Sequence, residues 1–172
     1  ILGGHGIGND SAVVFYNDGT PMWATRAWWM LRSIGFDNVA VLDGGWKKWK
    51  SENRPTTDES TSYPAATLDH QHLAHFWADK DDMQQTISAG NVCTINALAP
   101  EVYTGEKNQY GRPGHIPGSH NIFYGDLIDP ETGAFREPQE VKAHFDAIDA
   151  LGDTPVIAYC GGGISATMDA LM

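Results

Sequence analysis

The stretch SAVVFYNDGTPMWATRAWWMLRSIGFDNVAVLDGG, residues 11–45, changes its hydrophobic period twice, and those changes determine the fold class. Residues 11–16, SAVVFY, form a short apolar run of β-forming side chains bounded by turn residues, which predicts a buried strand. A helical period follows. Thr20 and Pro21 offer an N-cap and a first helical position, and Ala24, Ala27, Trp28, Leu31 and Ile34 make an apolar stripe that Gly35 ends. Residues 38–45, NVAVLDGG, regain strand character and leave by a sharp Asp-Gly-Gly turn into the amphipathic segment WKKWKSEN. Strand, helix and strand at this spacing make a βαβ unit, with parallel strands and a helix packed on the sheet.

Beyond it, residues 54–79 are rich in Thr, Ser, Pro and Asp without a sustained period, as expected of a connector lying over the surface. A second set of elements comes next: helix KDDMQQTISAG, strand NVCTINA, a short helix near PEVYTG, the punctuated loop GRPGHIPGSHNI, helix EPQEVKAHFDAID and strand PVIAYC. The two sets echo each other. VVFYNDGTPMWAT (13–25) overlays VIAYCGGGISAT (156–167), with Asn17 opposite Cys160 and Ala24-Thr25 opposite Ala166-Thr167. A duplicated α/β domain follows from this, each copy a mostly parallel sheet flanked by helices. The expected division is residues 1–55, a linker 56–78, and residues 79–172. The chain opens without Met at what reads as a helix end and stops inside another helix, so both domains are expected to be incomplete, truncated at either end.

Composition excludes several functions. The chain carries 11 Lys and Arg against 22 Asp and Glu, a net charge of −11, which disfavours a nucleic-acid partner. No apolar run is long enough to span a bilayer, and ILGGHGIGND lacks the basic start and apolar middle of a signal peptide, so no membrane role is expected. Cys93 and Cys160 lie far apart and form no CxxC pair, which suggests neither a zinc cluster nor a disulfide framework. A reducing, cytoplasmic setting fits. His70, His72, His75 and Asp69 sit in the polar connector with no complementary cluster, so no metal site is expected. GGHGIG, residues 3–8, lacks dinucleotide-binding spacing and precedes a strand instead of following one. The tryptophans at 23, 28, 29, 46 and 49 are expected to pack in the core or between domains.

Cys160 ends an apolar strand, is followed by three glycines, and precedes a helix beginning near Ser165. In parallel sheets the carboxyl end of a strand opens into the crevice where ligands bind. Glycines let several N–H groups turn toward one point, and a helix N-terminus adds positive potential there. Both favour thiolate over thiol. Cys93, inside NVCTIN without such neighbours, reads as a small core hydrophobe.

YCGGGISAT resembles the active-site loop of the rhodanese sulfurtransferases, especially the CGSGVTA-type loop of 3-mercaptopyruvate sulfurtransferases. GRPGHIPGSHNI resembles their glycine-rich signature, and VLDGGWKKW the motif near the end of a rhodanese domain. Nearly the whole chain is covered, in the order of a tandem rhodanese: a non-catalytic first domain with Asn17 at the nucleophile's place, then a catalytic second one. The resemblance implies a sulfurtransferase that moves sulfane sulfur from thiosulfate or 3-mercaptopyruvate to cyanide or a thiol through a Cys160 persulfide. It implies that Gly161, Gly162, Gly163, Ile164 and Ser165 hold the anionic sulfur, and that no metal or organic cofactor is needed. His115, within GRPGHIPG, is expected to bond the loop backbone.

Where the family commonly reads Asp-Ala-Arg, with a further Arg shortly after, this chain has Asn96, Leu98 and Val102. Gly162 stands where the relatives place a hydroxyl or a Lys. Arg112 is the cation left to attract an anionic donor. Two rivals follow. A cysteine phosphatase would need an Arg closing the loop, which GGGISAT lacks, whereas a non-catalytic rhodanese-like binding module is consistent with the lost arginines.

Overall fold

Residues 1–172 are described by a computed structural model of the chain. The first segment holds β1 (Val13–Phe15), α1 (Met22–Arg32), β2 (Val39–Val41) and α2 (Gly45–Ser51). β1 and β2 pair in parallel, Val13 opposite Val39, and α1 makes the crossover between them. The strands are shorter than the apolar runs that encode them. β1 is also less buried than expected: Val14 and Tyr16 are 58% and 63% exposed. Its sheet has only two strands, and one face of the alternating pattern stays in solvent. α1 begins one residue later than its sequence signal suggests, with Pro21 as N-cap and no side-chain cap bond. Trp23 points outward at 64% exposure, because it falls off the stripe that buries Ala24, Thr25 and Leu31.

The connector is mostly irregular and exposed, yet it is stitched to the first segment. Ala66 N–H donates to Gly3 O at 2.9 Å, Leu73 N–H to Ser33 O at 2.8 Å, and Asn9 and Asp69 exchange side-chain and backbone bonds. A short 3-10 turn at Ala74–Phe76 then brings Phe76 and Trp77 against Trp29 of α1, with ring centroids 4.8 and 6.4 Å away.

The second segment contains α3 (Lys80–Ala89), β3 (Cys93–Asn96), α4 (Pro100–Tyr103), β4 (His120–Asn121), α5 (Pro138–Asp146), β5 (Val156–Tyr159) and α6 (Ala166–Leu171). Asp79 caps α3 by accepting from the N–H groups of Asp81 and Asp82, while Asp82 reaches back to Asp79 N–H. The sheet order is β4-β3-β5, all parallel, with Cys93 opposite Val156 and Asn96 opposite Tyr159. β4, two residues long, has no legible apolar run of its own; it forms because the GHIPG loop returns the chain alongside β3. Ile95, Ile122, Leu127, Val141, Phe145 and Ala150 form the core between this sheet and α5.

The two segments meet through α1 and α6, the helices that follow β1 and β5. The repeated Ala-Thr pairs lie at this contact. Ala24, Thr25, Ala166 and Thr167 are buried, and Thr25 Oγ1 and Thr167 Oγ1 are hydrogen-bonded at 2.8 Å. Equivalent residue meets equivalent residue, as a two-fold arrangement of duplicated units requires.

Candidate active site

Cys160 follows β5 directly, at the carboxyl end of an edge strand, and its side chain is half-buried. Burial opposes ionisation of its thiol. The Ser165 hydroxyl and the N–H groups of Ala166, Gly162 and Ile164 act the other way, and on balance the thiol is held below its ordinary value. Gly162, Ile164 and Ser165, with Ala166, the first residue of α6, are the groups that lower it.

The three glycines have different reasons. At Gly161 the constraint is space, since an added Cβ would lie 2.0 Å from the Tyr110 ring. Gly163 adopts a left-handed φ of 69°, which glycine reaches without strain. Gly162 has neither constraint: an added Cβ would meet only Ile164 Cδ1, at 3.9 Å.

The GRPGHIPG loop lies across the end of β5. Ile116 N–H donates to the Tyr159 hydroxyl at 3.0 Å, and Ser119 Oγ lies 2.9 Å from the same oxygen. His115 Nδ1 lies 2.7 Å from Tyr103 O and its ring stacks on Tyr103, a structural placement. Arg112 is exposed and makes no ion pair; Tyr110, two residues before it, is the member of this loop that touches Gly161. Asn96 is buried, and its Oδ1 accepts from Leu98 N–H at 2.8 Å, while Val102 is 6% exposed, so both serve packing at places where the family carries polar anchors. Cys93 lies apart on β3, its thiol pushed up by burial and by the Asp149 carboxylate.

A groove of about 1100 Å³ follows β5 from Pro155 to Cys160, mostly apolar along its length. Two charged residues that sequence reasoning missed reach it near Cys160. Arg26, on α1, is its one Lys or Arg; Nη1 donates to Gly163 O at 2.8 Å, and the guanidinium lies 4.8 Å from the centre of the Trp77 ring. Asp169, on α6, is 5% exposed with neither carboxyl oxygen hydrogen-bonded. Burial, and then the nearby Cys160 charge, hold its carboxyl well above the usual carboxylate range. The signal for Arg26 was the internal echo itself: if α1 and α6 are equivalent and packed together, a residue beside Ala24-Thr25 falls next to the loop that precedes Ala166-Thr167.

A half-buried thiol stands at a strand end in a framework of two parallel α/β segments, which is the fold of the rhodanese-like class. The chain belongs to the rhodanese-like domain family, whose model matches residues 4–52 and 101–172. It is 32% identical over 167 residues to the sulfur carrier protein TtuD of Thermus thermophilus, covering 90% of this chain and 58% of that protein. It is 33% identical over 170 residues to the 3-mercaptopyruvate sulfurtransferase of Rattus norvegicus, covering 95% and 57%. The crystal structure of the Escherichia coli 3-mercaptopyruvate sulfotransferase SseA superposes with a TM-score of 0.82 at 26% identity, over 96% of this chain and 62% of that one. The chain thus spans a little under three-fifths of the curated relatives it matches.

Proposed function

We propose that this chain is the sulfur-transferring part of a rhodanese-type sulfurtransferase, with Cys160 as the atom that carries sulfur. The observation that supports it most directly is the place of Cys160, half-buried at the carboxyl end of β5, where loop hydroxyl and N–H groups hold its thiol below the ordinary value against the effect of burial. The Cys160 thiolate attacks the outer sulfur of the donor and a new S–S bond forms. In thiosulfate the old S–S bond breaks with its electron pair leaving on sulfite; in 3-mercaptopyruvate the C–S bond breaks and pyruvate leaves as its enolate, which takes a proton. A thiol or cyanide then attacks the outer persulfide sulfur, and Cys160 departs as thiolate. The loop donors that hold the thiolate hold the persulfide in turn. No step calls for a metal or an organic cofactor. Asn17, at the equivalent place in the first segment, has an amide where the nucleophile would be, which leaves that segment a supporting role.

Donor choice must differ in detail from the relatives that carry arginines before the GHIPG loop. Leu98 and Val102 offer no charge, so Arg112, exposed on the overlying loop, and Arg26, in the groove, are the cations available to an arriving anion. Brief incubation with thiosulfate or with 3-mercaptopyruvate should add one sulfur atom to the intact mass, cyanide should remove it, and Cys160→Ser should never acquire it. No adduct with either donor would favour the binding-module reading, which the missing arginines suggest.

A further inference from the structure

We infer that Arg26, supplied by the first segment, is a positioning residue that aims the Ile164 N–H at the Cys160 sulfur by holding the opposite side of the same peptide unit. The inference rests on the reading of Cys160 as the sulfur-carrying nucleophile and adds to it a role for the segment that has no nucleophile.

In a trans peptide the C=O and the N–H point in opposite directions, and no peptide in the chain is cis. The unit joining Gly163 to Ile164 has its carbonyl bonded by Arg26 Nη1 at 2.8 Å, and its N–H is one of the groups that hold the Cys160 thiol below its ordinary value. Fixing one end orients the other. The orientation needs fixing, because Gly163 sits at φ 69°, and a glycine rotates between left- and right-handed regions at little cost. A charged donor on the carbonyl also polarises the peptide, which strengthens its N–H as a donor on the far side.

Arg26 is itself braced. Its guanidinium lies over Trp77, which meets Trp29 edge-on, and Trp29 packs on Phe76. The next carbonyl, that of Ile164, accepts from Thr167 Oγ1 at 2.6 Å, and Thr167 is bonded to Thr25 of α1. Two successive carbonyls of the loop are thus held by the α1–α6 interface, one by Arg26 directly and one through the threonine pair. The non-catalytic copy acts on the sulfur by setting where the loop's N–H groups point.

The test is the pH dependence of Cys160 alkylation by iodoacetamide, in a Cys93→Ser background so that one thiol reports. Arg26→Met keeps the stem packed against Trp77 and removes the donor. It should move the inflection upward and slow alkylation at neutral pH about tenfold, the change that one pKa unit produces, with the melting temperature shifted by only a few degrees. Arg26→Lys, which keeps a charge and a donor, should lie between the two. It decides the question on its own should Arg26→Met fail to fold, since a partial upward shift supports the role and none overturns it. An unchanged inflection in folded Arg26→Met would make Arg26 interface packing only. A parent protein whose Cys160 titrates like a free thiol would overturn the sulfur-transfer reading itself, a result separate from the behaviour of Arg26.

Discussion

Cys160 and Asp169 share one groove and cannot both be ionised cheaply, and their surroundings differ. The hydroxyl and N–H groups around the sulfur hold its thiol below the ordinary value, whereas burial and the Cys160 charge hold the Asp169 carboxyl well above the usual carboxylate range, so the two shifts run in opposite directions. The consequence for stability has a definite sign. The folded state binds the Asp169 proton more tightly than the unfolded chain, so its contribution is fully present below the unfolded chain's value of about 3.9 and is lost as pH rises through the raised folded value. Asn has nearly the same shape and cannot ionise. Asp169→Asn should therefore raise the melting temperature by a few degrees at about pH 7, and the gain should vanish toward about pH 4. A gain that persisted in acid would mean that Asp169 is destabilising for a reason other than its charge.

The helices α1 and α6 do more than cover their sheets. Each follows a strand end, and their contact buries a polar pair, Thr25 with Thr167, in an otherwise apolar interface of Ala24 and Ala166. Thr25 Oγ1 is also 3.0 Å from Met22 O, and Thr167 Oγ1 is 2.6 Å from Ile164 O, so two hydroxyl protons serve three contacts. Thr25→Val or Thr167→Val should each cost about 1 kcal/mol by urea unfolding. The double variant should cost less than the sum, because each single change leaves the other hydroxyl without its buried partner. Strict additivity would show that the pair does not couple the segments. Both ends of this contact were legible as a repeated Ala-Thr; their meeting was not, because a periodic stripe says which face of a helix is apolar and not which other helix covers it.

On the proposed function, the net charge of −11 opposes the arrival of an anionic donor over the whole molecule, while Arg26, in the groove, attracts it locally. Between about 0.01 M and 0.1 M salt the Debye length falls from roughly 30 to 10 Å, which screens the distant carboxylates before the close Arg26. Persulfide formation from thiosulfate, followed as a second-order rate, should therefore rise several-fold over that range. A fall would show that the positive field near Cys160 dominates at distance.

The order of strands and helices, the parallel pairing and the place of Cys160 at a strand end were determined by the sequence alone. They rest on period, turn residues and glycine punctuation, which act within a few residues. What surrounds the sulfur was decided by tertiary structure. Asp169 reads in sequence as one polar residue on a short helix, and Arg26 as a charge between two apolar faces; only folding buries the first without a partner and brings the second to Gly163, 137 residues along the chain. A thiol's acidity depends on the direction of a handful of dipoles within a few ångströms, and that direction is set by contacts between segments that no local pattern records.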